Sequence, residues 1–127
     1  MFYTSTRDKS LKVTASEAIT KGISKEGGLF IPCEIPKINK RDLKNLVSKN
    51  YIEVASYVLK KYLTDFTDDE IAKCVNGAYV NTFDTEEVVS YADLEGLGYI
   101  MELWHGPTCA FKDVALQILP YLLTTSV

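Results

Sequence analysis

Residues 13–32 read VTASEAITKGISKEGGLFIP, and within them a helix start, a helix stop, a tight turn and a strand follow one another. Thr14 and Glu17 stand at the S/T-x-x-E spacing of a capping box, in which each side chain satisfies a free backbone N–H of the other's end. Val13 and Ala18 are placed as the apolar staple around that box and Gly22 is placed to stop the helix, which predicts a short helix over roughly residues 15–21. FYTST at the start of the chain alternates as a strand; after the helix, KEGG turns, LFIP extends, and Pro32 and Pro36 break the run. Strand, helix, strand is an α+β opening.

The cap-plus-acid spacing then recurs three times, as Asn39 with Asp42, Asn50 with Glu53 and Thr67 with Glu70. Each pair satisfies and charges a helix N-terminus, so three more helices are expected. Their apolar residues fall at helical spacing: Leu43, Leu46 and Val47; Ile52, Ala55, Val58, Leu59, Tyr62 and Leu63; Ile71, Ala72, Val75 and Tyr79. These stripes, with Tyr57, Tyr62 and Tyr79 among the aromatics, read as core.

EVVSYADL (residues 87–94) and YIMELW (99–104) are β-rich and separated by EGLG, which predicts a hairpin. Beyond it Phe111, Val114, Ala115, Ile118, Leu119 and Leu122 line one face of a last helix, which Pro120 should kink or end early. An apolar helix that runs to the last residues leads to the expectation that this is the first part of a longer chain. The fold class expected is α+β: a small sheet with packed helices, leading into the first strand and helix of an α/β domain.

At 127 residues one core is the default. The net charge of -3 supplies no positive field for a phosphate backbone, so nucleic acid is not an expected partner. No apolar run approaches the ~20 residues of a membrane span, so none is expected to cross a membrane. Cys33, Cys74 and Cys109 are odd in number and without metal-ligand spacing, which points to no disulfide framework, no metal site and a reducing, cytoplasmic setting.

Chemistry concentrates in HGPTCAFKDVAL, residues 105–116. Lys112 stands where a Gly-Pro turn becomes an apolar helix, at a position whose partial positive charge disfavours a cation. That field, with burial beside Phe111, would favour the neutral amine that attacks an aldehyde. Thr108 is placed to cap the helix and leave backbone N–H groups free for an anion, and Asp113 adds negative charge to the first turn. His105, the only histidine, is placed to order the loop.

Glu102, Thr108, Ala110, Phe111, Lys112 and Asp113 occupy the places of the signature around the cofactor lysine of fold-type II pyridoxal-phosphate enzymes, which this stretch resembles. More narrowly, WHGPTCAFKD is similar to the threonine synthase version. YTSTR, ASEAITKGISKEGGLFIPCEIP and the order of the helices resemble the start of the same family. Cys109 stands where that family commonly carries Leu, and Asp8 follows Arg7 where many members have Gly.

The resemblance implies pyridoxal 5'-phosphate as cofactor and conversion of O-phospho-L-homoserine and water to L-threonine and phosphate. It makes Lys112 the catalytic, Schiff-base lysine, puts Phe111 and Asp113 with it at the cofactor, and puts His105 and Thr108 at the substrate. Residues 1–95 would form the N-terminal domain of this type and residues 96–127 the beginning of the cofactor-binding domain. A Gly-rich phosphate cup and a partner for the pyridine nitrogen are not found, so the chain alone is expected to lack turnover. Two other readings stay open: a related phospho-amino-acid lyase of the same fold, and a non-catalytic module that binds a partner through the last helix.

Overall fold

The computed structural model describes all 127 residues. The chain runs β1 (Tyr3–Ser5), α1 (Ala15–Lys21), β2 (Phe30–Pro32), α2 (Lys40–Leu46), α3 (Tyr51–Tyr62) and α4 (Asp68–Tyr79). It continues through β3 (Ser90–Asp93), β4 (Tyr99–Glu102), α5 (Asp113–Leu116) and α6 (Leu119–Ser126). The architecture is α+β, as the alternation of elements predicts. In place of one small sheet there are two separate two-stranded antiparallel sheets, β1 with β2 and β3 with β4.

All four anticipated caps form. The side chains of Thr14, Asn39, Asn50 and Thr67 accept the N–H of Glu17, Asp42, Glu53 and Glu70, and three of the four close the full capping box. The staple residues Val13 and Ala18 are both buried. β1 and β2 pair with Tyr3 opposite Pro32, Thr4 opposite Ile31 and Ser5 opposite Phe30. Tyr3 and Val13 exchange backbone hydrogen bonds of 2.9 and 3.0 Å, which lays the entry to α1 along β1.

The core gathers Ala15, Leu63, Ile71, Cys74, Val75, Ala78, Tyr79, Val88, Ile118 and Leu122. α4 is its centre: Ile71 and Val75 are fully buried, and α3 lends half-buried Ile52, Ala55, Leu59 and Tyr62 against it. Several stripe residues depart from expectation. Leu43 and Val47 of the α2 stripe are exposed, since α2 buries no residue and is held to α3 by the Tyr57 hydroxyl on Asp42 Oδ2 at 2.6 Å. Ala72 also faces solvent, and the inward positions of α4 are taken by Cys74 and Ala78.

The last helix is two helices. Pro120 does not kink a continuous helix but sits in the first turn of α6, where its missing N–H leaves no broken bond. Of the expected apolar face, Ile118 and Leu122 are buried, whereas Phe111, Ala115 and Leu119 are exposed. α6 closes the core from the side of α1 and α4. Its Tyr121 ring lies so close over Gly77 that a Cβ there would collide with it, which accounts for a glycine in the last turn of α4. The partner-binding stripe expected on this helix is therefore not available as one surface.

Candidate functional site

The lysine turn is built from two clamps. Cys109 closes a turn by donating its N–H to Gly106 O at 3.0 Å, with φ of +55°, a left-handed conformation unusual for a residue with a Cβ. The Asp113 N–H then bonds Ala110 O at 3.0 Å, and α5 starts. Lys112 is the N-cap of α5, in helical conformation and without a side-chain cap. It is exposed, with Nζ 6.0 Å from the centroid of the Phe111 ring, which is 65% exposed. The burial beside Phe111 expected from sequence is thus absent here. The lysine–carboxylate pairs of the chain are Lys21–Glu17, Lys49–Glu53 and Lys60–Asp68, so the Lys112 ammonium is in no ion pair.

Asp113 is fully buried, with its carboxylate turned away from solvent. It accepts the Thr108 N–H at 2.8 Å, the Thr108 hydroxyl at 2.9 and 3.0 Å, and the Gln117 amide at 3.3 Å. Burial pushes its pKa up, but the hydrogen bonds from the Thr108 N–H and hydroxyl, Gln117 and Ala110 outweigh it and hold the carboxyl below its ordinary value. Thr108 therefore does not cap the helix: its N–H and its hydroxyl are both spent on Asp113. Gly106 is required by the same clamp, because a Cβ there would collide with Asp113.

His105 forms the second clamp. Its ring is buried and stacks on Trp104 with centroids 4.1 Å apart. Nδ1 is 2.6 Å from Asp84 Oδ1, and Nε2 is 2.7 Å from Ser90 Oγ and 3.3 Å from Glu102 Oε2. Burial lowers the ring's pKa, yet its hydrogen bonds to Asp84 and Glu102, with the charges of those two groups, outweigh burial and raise it above the ordinary value. Glu102 is held below the usual carboxylate range by the Ser90 hydroxyl first and His105 second.

A third cluster escaped sequence reading. KEGG reads as a plain turn, yet it folds onto the STR of β1. Ser5, fully buried, lies 3.0 Å from Ser24 Oγ, which in turn accepts the Gly28 N–H at 3.1 Å. Arg7 donates to Glu26 O at 2.9 Å, and a Cβ on Gly28 would collide with Ser5 Oγ. Nothing local joins residues 19 or more apart, so the only sequence signal was the joint presence of the two motifs. Asp84 and Ser90 were missed for the same reason; only Glu102 and His105, three apart, were near enough to suggest a pair.

Of the expected site residues, Lys112 and Phe111 lie together on the surface. Asp113 and Thr108 bond to each other beneath them, and His105 anchors the start of the same turn.

Residues 2–79 match the family model described as Threonine synthase N terminus. The chain is 40% identical over 119 residues to threonine synthase of Schizosaccharomyces pombe, an alignment spanning 92% of this chain and 23% of that one. The structure of a PLP-bound threonine synthase from Brucella melitensis superposes on 99% of the chain with a TM-score of 0.92 and 33% identity, covering 27% of that protein. The yeast threonine synthase structure covers 98% with a TM-score of 0.88 and 32% identity, 26% of its own length. The chain thus spans about a quarter of the length of these relatives.

Proposed function

The chain belongs to the threonine synthase family as its N-terminal part, and from that premise we propose that it forms the lysine-bearing segment of a pyridoxal-phosphate-dependent lyase. The reaction is conversion of O-phospho-L-homoserine and water to L-threonine and phosphate. The observation that carries this reading is the fold: 99% of the chain follows a PLP-bound relative at a TM-score of 0.92, with one unpaired, exposed lysine at the head of a clamped turn.

The residues present fit the cofactor at one point. Lys112 Nζ, free of any ion pair, would as the neutral amine bond its aldehyde carbon, the carbonyl oxygen leaving as water, with the exposed Phe111 ring alongside. When bound, pyridoxal phosphate supplies an electron sink for a substrate carbanion. Lys112 is also the base that takes and returns protons at the substrate's carbons. Asp113, Thr108 and His105 serve it by fixing the turn rather than by touching cofactor or substrate, since their polar atoms are already bonded to one another or to Asp84, Ser90 and Glu102. The reading carries with it a division after residue 95 between an N-terminal domain and the start of the cofactor-binding one, although that point falls between the paired strands β3 and β4, and Ile118 and Leu122 beyond it share the core of α4. These 127 residues span about a quarter of the relatives' length, so the full reaction is proposed for a chain of full family length that carries this segment.

The test is borohydride trapping of the chain with pyridoxal phosphate, followed by peptide mapping. A reduced adduct confined to residue 112 and lost in Lys112→Ala supports the reading. Diffuse labelling sends the same test to a threonine synthase chain of full family length carrying this segment. Failure to label residue 112 there would sink the assignment.

A further inference from the structure

The segment between α4 and β3 is under local strain. Val88, only 1% exposed, has φ of +62°, where a β-branched side chain crowds its own backbone. Val89 N–H closes back on Glu87 O at 2.6 Å, and Thr85 Oγ1 is buried with no hydrogen-bond partner. Such a conformation persists only where its surroundings over-determine it. Val88 is fixed by the core cluster. The ends of the segment are fixed by one ring: His105 Nδ1 holds Asp84, Nε2 holds Ser90, and the Asp84 N–H donates to His105 O at 3.0 Å.

Asp84, His105 and Ser90 have the residue types and spacing of a nucleophilic triad, but the proton order is opposite. With the Ser90 hydroxyl donating to Glu102 Oε2 at 2.7 Å, its lone pairs are placed to accept from an Nε2–H, and Asp84 is placed to accept from an Nδ1–H. A ring that donates from both nitrogens is an imidazolium and has no lone pair with which to take a serine proton. The charged groups that face it are Asp84 before β3 and Glu102 at the end of β4, both acidic, with the neutral Ser90 on β3 and Trp104 stacked on its plane. This arrangement fastens; it does not activate a nucleophile.

What it fastens leads to Lys112. Gly106 follows His105 and packs without a Cβ against Asp113, whose carboxylate holds Thr108. We propose that His105 is a positioning residue whose cationic ring couples the strained 84–90 segment and the β3–β4 hairpin to the 105–113 turn, and so sets where Lys112 is presented. The purpose of the coupling rests on the proposed role of Lys112; the coupling itself does not.

The test is amide hydrogen exchange by NMR on the 127-residue chain, with the His105 ring titration followed in the same samples. In His105→Gln the Thr108 and Asp113 amides exchange about tenfold faster while Val75, in the core of α4, keeps its rate. In the unsubstituted chain, once intrinsic base catalysis is divided out, the same two amides loosen as pH rises through the ring's ionisation. Asp84→Asn, an exposed change that keeps a hydrogen-bonding side chain, shifts both the titration and the loosening to lower pH. Thr108 and Asp113 amides that keep their rates in both variants and ignore the ring's titration would overturn the proposal. Failure of Lys112 to take pyridoxal phosphate while these amides respond would count only against the functional reading.

Discussion

The Asp113 carboxylate accepts both the N–H and the hydroxyl of Thr108, at 2.8 and 2.9 Å, from a fully buried position one residue after the exposed Lys112. Adjacent residues at the head of α5 thus have opposite surroundings, one in the protein and one in solvent. The chemistry and the stability of the turn are therefore separable by substitution.

Lys112→Ala should leave folding stability within about 0.5 kcal/mol, as for other exposed positions outside special features, while removing trapped cofactor from the turn. Thermal melts compared with peptide mapping check both halves. A large loss of stability would show that the side chain packs in a way its exposure does not suggest.

Asp113→Ala should do the reverse of a clean surface change. It leaves the Thr108 N–H and hydroxyl without their acceptor, so the melting temperature falls and labelling at Lys112 loses its selectivity over other lysines by roughly tenfold, as positioned groups do when their support is removed. Asp113→Asn, which keeps an acceptor oxygen, should recover part of the stability.

The pH dependence has a sign at each end. Asp113 is held below its ordinary 3.8, so its contribution is complete above that value and fades as pH falls through the lower folded value. His105 is raised above 6.5, so its contribution is complete below that value and fades as pH rises through the higher folded one. Melting temperature against pH should decline at both ends. Asp113→Asn should blunt the acid limb and His105→Gln the alkaline one; identical limbs in the variants would contradict these assignments.

Gly77→Ala should destabilise although alanine is the better helix former by about 1 kcal/mol. The added Cβ meets the Tyr121 ring, and overpacking of this kind costs about 1–3 kcal/mol. Combining it with Tyr121→Leu should give a smaller total loss than the sum of the single changes, and denaturant unfolding of the four proteins in the cycle measures the difference.

The strands and the four capped helix starts were legible in the sequence because their determinants are local. Thr14 with Glu17, Asn39 with Asp42, Asn50 with Glu53 and Thr67 with Glu70 each interact across three residues, and the folded chain keeps every one of these bonds. The motif around Lys112 was legible for the same reason: six residue types within a dozen positions carry it. Burial was less so. Helical spacing marks which residues share a face, but whether another element covers that face depends on distant chain, so Leu43, Val47 and Ala72 read as core and stand in solvent.

Sequence alone determined the α+β order, the four capped helix starts and the candidate lysine. Tertiary structure alone decided that Asp113 faces inward and that Pro120 begins a helix that closes the core. It also decided that His105 meets Asp84 and Ser90, which lie 21 and 15 residues away along the chain. Caps and turns are set by backbone groups a few bonds apart, whereas the placement of a buried carboxylate or an imidazole is set by which donors and charges the packed elements bring within hydrogen-bond reach.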